Sequence, residues 1–322
     1  MRRIAIGVVV VMSLSGCAVV GPKYQRPAAP VPAQFKESGA PTGQVSTIPP
    51  IAYSDWWRVF DDPVLDRLEQ DAGAANQDIR VAVARVDQAE AAARYAHSFL
   101  SPTVGLGVSA SRTREAQNRP NNGNTGGQAA TYNDFQLPLF FNYEIDAWGR
   151  VRRSLESARD VQQATEADLR FVRLSVEASL AVDYFSMRET DAERTILDST
   201  IAQLQQALDL TTNRFRGGIT GELEVQQAKT LLDQTKAQAQ ALDEQRSQLE
   251  HAIAVLDGRP ASEFSLPRSP FDGLPPSIPP GLPADLLARR PDIAEADRYV
   301  AAATAQIGAI RRFVSLTPAL PL

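Results

Sequence analysis

Residues 149–216 read GRVRRSLESARDVQQATEADLRFVRLSVEASLAVDYFSMRETDAERTILDSTIAQLQQALDLTTNRFR. After Gly149 the stretch contains neither proline nor glycine. Val151, Leu155, Ala158, Val161, Leu169, Val172, Val176, Leu180, Tyr184 and Met187 recur mostly at intervals of three and four, the spacing of one helical face. At 1.5 Å per residue such a helix runs roughly 100 Å, several times the width of a compact domain, so its apolar stripe needs other long helices to cover it. Gly217-Gly218-Ile219-Thr220-Gly221 then supplies a sharp reversal. Glu222 to Leu256 returns as a second helix, with Leu223, Ala228, Leu231, Leu242, Leu249 and Ile253 apolar. Residues 149–256 are therefore expected to form a long antiparallel helical hairpin.

Upstream of this hairpin the periodicity changes. A helix rich in Ala, Gln and Arg is expected from about Pro63 to Ser98, stopping at Ser101-Pro102. From Thr103 to Ser111 the period becomes two. Val104, Leu106, Val108 and Ala110 share one face; Thr103, Gly105, Gly107, Ser109 and Ser111 share the other. After an Asn/Gly-rich loop, a second alternation places Phe135, Leu137, Leu139, Phe141, Tyr143 and Ile145 together, with Pro138 and Phe140 breaking the polarity of the opposite face. The expected strands, 102–112 and 135–145, have the length at which a tilted strand crosses a bilayer, about 9 to 11 residues. The same alternation also suits a soluble amphipathic hairpin. In the membrane reading Val104, Leu106, Val108, Phe135, Leu137, Leu139 and Phe141 face lipid.

The N-terminus explains how such strands could reach a membrane. Arg2 and Arg3 precede the apolar run Ile4 to Leu14, the layout of a secretory signal peptide and too short for a spanning helix. Leu14-Ser15-Gly16-Cys17 resembles the bacterial lipobox, which implies removal of residues 1–16 and acylation of Cys17. Ala18 stands where inner-membrane lipoproteins typically carry Asp, which implies sorting to the outer membrane.

Composition removes most alternatives. The 322 residues carry 33 Lys and Arg against 38 Asp and Glu, a formal net charge of −5, which offers no basic surface for nucleic acid. Cys17 is the single cysteine, and His97 and His251 are the two histidines, so neither a disulfide, nor a Cys/His metal cluster, nor a Cys-His catalytic pair is available. The acidic residues are scattered over helix faces. No catalytic residue, metal or cofactor is expected, and an enzyme is the least favoured class.

Most of the 22 prolines lie in two linkers, 17–54 and 259–283. They divide the chain into a lipid-anchored segment at 17–54, a first repeat at 55–258 with its strand pair at 102–146, the linker at 259–283, and the start of a second repeat at 284–322. The repeat shows in Asn76-Gln77-Asp78-Ile79 with its Ala-rich helix, echoed by Arg290-Pro291-Asp292-Ile293 with another, and in Pro102 echoed by Pro318. The sequence stops where the second copy's first strand should begin, the pattern expected of a C-terminally truncated chain.

Several phrases in this order resemble the TolC-type outer-membrane efflux lipoproteins that serve resistance-nodulation-division pumps. Val20-Gly21-Pro22-Lys23-Tyr24-Gln25-Arg26-Pro27 follows the lipobox. Asp55-Trp56-Trp57-Arg58-Val59-Phe60-Asp61-Asp62-Pro63 precedes the first helix. Tyr143-Glu144-Ile145-Asp146-Ala147-Trp148-Gly149-Arg150 stands at the strand-to-helix junction, Arg214-Phe215-Arg216-Gly217-Gly218 with Leu223-Glu224-Val225 at the reversal, and Leu282-Pro283-Ala284-Asp285 through Ile293 at the second repeat.

The resemblance implies an α+β membrane protein: long antiparallel helical hairpins build a periplasmic α-barrel, and transmembrane β-strands contribute to a shared β-barrel of a homotrimer. It further implies passive export of drugs or toxic compounds, with outer-membrane lipid, a periplasmic membrane-fusion adaptor and an inner-membrane pump as partners. Arg214, Gly218, Thr220, Leu223 and Glu224 become candidates for adaptor contact. The alternative is a lipid-anchored outer-membrane lipoprotein without transport activity. An adaptor-type coiled coil is a third option, but the lipoyl-like and β-barrel segments it needs beside the hairpin are not found.

Overall fold

A computed structural model describes residues 19, 21–28, 55–114, 131–270, 276, 287 and 289–315. Cys17, the leader, most of the 17–54 linker and the later part of the 259–283 linker lie outside the described residues. The elements are helices α1 (Pro63–Ala75) and α2 (Gln77–Ser98), strands β1 (Thr103–Leu106), β2 (Ser109–Arg114), β3 (Thr131–Gln136) and β4 (Leu139–Asn142), then helices α3 (Arg150–Arg216), α4 (Glu222–Leu256) and α5 (Pro291–Ser315). They form two compact units. One takes in the strands, residues 88–163 as a whole, the N-terminal 26 residues and residues from 297 on; the other takes residues 27–87 and 164–296. The consecutive segments expected from the sequence cut across these units, because α3 continues from one into the other.

The helical unit has an apolar core. Leu65, Leu68 and Ala72 of α1 and Ile79 of α2 pack with Val176, Leu180, Tyr184 and Met187 of α3, Ile253 of α4 and Phe264 beyond it. The phrase around Trp56-Trp57 sets the start of this core. Residues Trp56–Phe60 form a 3₁₀ turn that buries Trp57. Asp62 caps α1 by accepting from the Val64 and Leu65 N–H groups, with Pro63 at the first helical position, and its second carboxylate oxygen accepts the Tyr184 hydroxyl at 2.6 Å.

The single helix expected over 63–98 is two. Asn76 ends α1 and caps α2, its Oδ1 accepting from the Asp78 and Ile79 N–H groups while its Nδ2 donates to the Leu256 carbonyl at 2.8 Å. A buried side chain that satisfies both a helix start and the last turn of α4 outweighs continuity of the helical ladder.

Residues 264–270, expected as plain linker, are held against α3 and α4. Arg188 donates to the Pro267 carbonyl and Arg246 to the Leu266 carbonyl, while Ser269 N–H donates to Asp191 and Leu266 N–H to Glu250. Asp191, almost wholly buried, also receives Arg246 Nε at 2.7 Å. Toward the reversal, Arg194 bridges from α3 to Asp243 of α4, and Arg268 donates to the same carboxylate at 2.7 Å. The ion pairs Arg246–Asp191 and Arg194–Asp243 stand at equal distances from the reversal on both helices, so the hairpin keeps one register between them.

In the other unit the buried apolar residues are mostly small: Ala93, Ala301, Ala302 and Ala305 join Val151 and Leu155. Small side chains let backbones approach. At Gly21, with φ of 119°, an added Cβ would lie 2.5 Å from the Gly308 Cα. Arg153, buried, donates to the Gly21 carbonyl and pairs with Glu156, and Tyr24 donates to Asp297 of α5. α5 remains helical to Ser315, and Pro318, before which the second repeat's helix was expected to stop, lies outside the described residues.

Candidate functional site

The four strands are two arms of one ribbon. β1 pairs with β4 and β2 with β3, both antiparallel, with Val104 opposite Phe141, Leu106 opposite Leu139, Ala110 opposite Phe135 and Arg114 opposite Thr131. The two pairings share a single register, interrupted at Gly107-Val108 and Leu137-Pro138. Pro138 has no N–H to give the ladder, yet its carbonyl accepts Gly107 N–H at 2.9 Å. The strands thus run 103–106 and 109–114 against 131–136 and 139–142, where 102–112 and 135–145 were expected. The second arm starts four residues earlier because Thr131 to Asp134 find partners in Ser111 to Arg114, and it ends at Asn142.

Directly opposed residues of an antiparallel pair share a face. Val104, Leu106, Phe135, Leu139 and Phe141 therefore stand together, and Val108 and Leu137 continue the same alternation across the interruption. All seven are exposed: Val108 and Phe135 reach 78% and Leu139 72%. The opposite face carries Thr103, Ser109, Ser111, Asp134, Gln136 and Asn142. Tyr132 and Phe140 are the aromatics there, and Phe140 sits over the space left by two glycines, with a Cβ at Gly107 falling 3.1 Å from its ring.

Where the ribbon returns to helix, Asp146 accepts from the Val151 and Arg152 N–H groups at 3.2 and 3.0 Å. Burial pushes its carboxyl up, but these bonds and the Arg152 side chain outweigh that and hold it below the usual carboxylate range. Glu144 takes a two-point interaction from Arg150. Tyr143, Trp148, Tyr95 and Phe99 are exposed aromatics close in sequence to the ends of the ribbon, and Tyr95 meets Phe99 edge-on.

The helical reversal is a Schellman turn. Gly218, with φ of 73°, takes the left-handed position; its N–H reaches the Phe215 carbonyl and the Ile219 N–H reaches that of Arg214, both at 2.9 Å. Arg214 and Arg216 in the last turn of α3, and Glu222 and Glu224 in the first turn of α4, suit the two helix dipoles. All five adaptor candidates come together here: Arg214, Gly218, Leu223 and Glu224 are exposed, and Thr220 is half-buried with an Oγ1 that has no hydrogen-bond partner among the described residues. Sequence reasoning missed Ile219, 70% exposed, and Phe215, which adjoin Leu223 in the sequence of the turn. Ile219 lies in the turn, which follows no helical period, and Phe215 in the last turn of α3, outside the apolar series read for that helix, so only the hydrophobicity of the two side chains could have flagged them.

Among the described residues no helix is long and apolar enough to cross a membrane, and no group of three metal-ligating side chains is found. Residues 68–259 match the family described as outer membrane efflux protein. The chain belongs to that family. As an outer membrane efflux protein it is 32% identical over 306 residues to the solvent efflux pump outer membrane protein SrpC of Pseudomonas putida, covering 93% of this chain and 63% of the relative. It is 31% identical over 319 residues to the pyoverdine export outer membrane protein OpmQ of Pseudomonas aeruginosa, covering 96% and 65%. This efflux protein chain therefore spans less than two thirds of the length of these relatives.

Two solved structures give the same match. The outer-membrane channel OprN superposes with a TM-score of 0.79 at 31% identity, over 90% of this chain and 63% of that one. The Campylobacter jejuni CmeC outer membrane channel gives 0.81 at 25% identity, over 91% and 62%. The fold of this family member is thus that of the TolC-like outer-membrane channels, and its location is the outer membrane.

Proposed function

We propose that this chain is a channel subunit of a tripartite efflux system, through which small molecules leave the cell passively under the drive of an inner-membrane pump. The observation that carries the reading is the ribbon at 103–142: one register, one fully exposed apolar face, and a polar opposite face. In water that face would be a liability, whereas in a bilayer it is the side that meets lipid. A lone ribbon has unpaired edges that hydrocarbon does not tolerate, which supports closure into a barrel shared between subunits, a homotrimer by family resemblance. Cys17, acylated, anchors the periplasmic side, and the reversal around Arg214, Gly218, Thr220, Leu223 and Glu224, with Ile219 added, docks a periplasmic adaptor.

Dye accumulation in a strain lacking the gene tests this. The chain extended by a relative's second repeat is expected to lower accumulation, and Leu139→Arg in it to restore accumulation, since Arg on the lipid face near the bilayer midplane costs about 2 to 4 kcal/mol; without that repeat, three ribbons supply too few strands for a barrel. Asn142→Arg, on the opposite face, is expected to retain efflux. Fatty-acid labelling at Cys17 with no effect of the extended chain on accumulation would instead favour the lipoprotein without transport activity.

A further inference from the structure

The apolar face of the ribbon ends differently at its two ends. Along the second arm its alternate residues run from Phe135 to Phe141 in strand, and Tyr143 and Ile145 follow in the same alternation; continued as strand to Ile145, at about 3.3 Å per residue and a tilt of about 40°, the face would cover roughly 25 Å, the height of an outer-membrane apolar band. At the helical end, the arginines that follow are neutralised within the chain: Arg150 by Glu144 and Arg152 by Asp146. At the far end, the next two rows on the same face are Arg112 opposite Asn133 and Arg114 opposite Thr131. Both arginines are exposed and neither has an ion pair among the described residues; their cross-strand neighbours are neutral.

We infer that Arg112 and Arg114 form a phosphate-binding pair on the lipid side of the ribbon, holding the phosphorylated glycolipid of the outer leaflet. The inference rests on the membrane reading proposed above, which sets the helices in the periplasm and the far end of the ribbon outward. Rows on one face are two residues apart, so along the tilted strand Arg112 stands about 5 Å and Arg114 about 10 Å beyond the Ala110 and Phe135 row. Arg112 thus lies within the headgroup zone, about 5 to 7 Å thick on each side of the hydrocarbon, and Arg114 a few ångström beyond its outer edge, from where its side chain reaches back. Long arginine side chains extend toward that zone, and the planar guanidinium matches two phosphate oxygens at once. Ser111 before the arginines and Thr113 between them stand on the opposite face, so the charge is confined to the lipid side.

The test uses the full chain purified from outer membranes in detergent and offered lipid A carrying its phosphates, enzymatically dephosphorylated lipid A, or phosphatidylglycerol, with bound lipid read by native mass spectrometry. The wild type is expected to retain phosphorylated lipid A over both others. Each arginine near an anionic surface is worth about fivefold, so Arg112→Gln with Arg114→Gln should cut that retention on the order of twentyfold, and Arg112→Lys with Arg114→Lys by much less. Thr113→Arg, on the other face, should add nothing. A Leu139→Cys reporter in each preparation separates the two levels of failure. If the reporter is shielded from a water-soluble maleimide and the glutamine variant retains lipid A like wild type, the arginine assignment is overturned while the membrane reading stands. If the reporter labels freely, the membrane reading falls and the inference with it. Equal competition by phosphatidylglycerol, or displacement by inorganic phosphate, would overturn the outer-leaflet glycolipid as the ligand.

Discussion

Leu180 and Leu139 are the same side chain under opposite rules. Leu180 lies at 0% exposure among Leu65, Tyr184, Met187 and Ile253, where apolar residues exclude water by packing against one another. Leu139 is 72% exposed in a ribbon with polar residues behind it. The helical unit hides its apolar stripe within one chain; the ribbon leaves its own uncovered, and a surface of that kind is stable where the surroundings are themselves apolar. In the membrane reading proposed above, one polypeptide encodes two solvents, and it does so through period: three and four for the helices, two for the strands.

The largest expected effects come from breaking the helical unit where charge is buried. Asp191 receives Arg246 Nε and Ser269 N–H and lies 3.6 Å from Arg188, so Asp191→Ala leaves buried guanidinium groups without their carboxylate. A loss of about 3 to 5 kcal/mol in denaturant unfolding, followed by helical circular dichroism, is expected. An unchanged midpoint would mean that the 264–270 segment is not held by this network.

Next in size is the leucine pair itself. Leu180→Ala should destabilise the helical unit by about 2 to 5 kcal/mol, whereas Leu139→Ala should leave the same transition unmoved. Equal shifts would erase the distinction between the two regions.

A smaller effect sharpens the comparison inside the helical unit. Burial pushes the Glu69 carboxyl from 4.5 up to about 8, helped by the nearby Glu177 carboxylate, and neither of its oxygens has a hydrogen-bond partner among the described residues. The folded state therefore holds a proton that the unfolded state releases above pH 4.5. Stability contributed by the protonated acid is present below that pH and is lost as pH rises toward about 8. Glu69→Gln should flatten this decline and raise the unfolding midpoint at neutral pH. A wild-type midpoint that rises between pH 5 and 8, or a glutamine variant with the same slope, would contradict it.

The sequence made the long helix and the ribbon legible for a shared reason. Absence of proline and glycine over 150–216 and strict alternation over 103–111 are local properties that packing need not supply. Pro138 showed only as a break in the polarity of one face; the gap in the ladder there, and the Gly107 N–H that keeps the register across it, were not expected. What escaped depends on contacts distant in sequence. Asn76 looks like an ordinary helical residue until its side chain meets the Leu256 carbonyl. Asp191 and Arg246 resemble solvated helix charges until the chain from Phe264 to Pro270 covers them. Phe140 breaks the face pattern because Gly105 and Gly107 leave it room. At the reversal, Gly218 was legible from its left-handed role, whereas Ile219 sits in a turn without a period and Phe215 stands in the last helical turn outside the apolar series that was read.

The most direct test of the account is a nitroxide scan through residues 103–114 and 131–142 of the full chain in outer-membrane lipid, comparing collisions with oxygen and with a water-soluble nickel chelate. Oxygen accessibility should peak at 104, 106, 108 and 110 on the first arm and at 135, 137, 139 and 141 on the second, with the chelate in antiphase and the oxygen signal falling away at 112 and 114. Chelate accessibility that is uniformly high along both arms, or that peaks at those apolar positions, would contradict a lipid-facing ribbon.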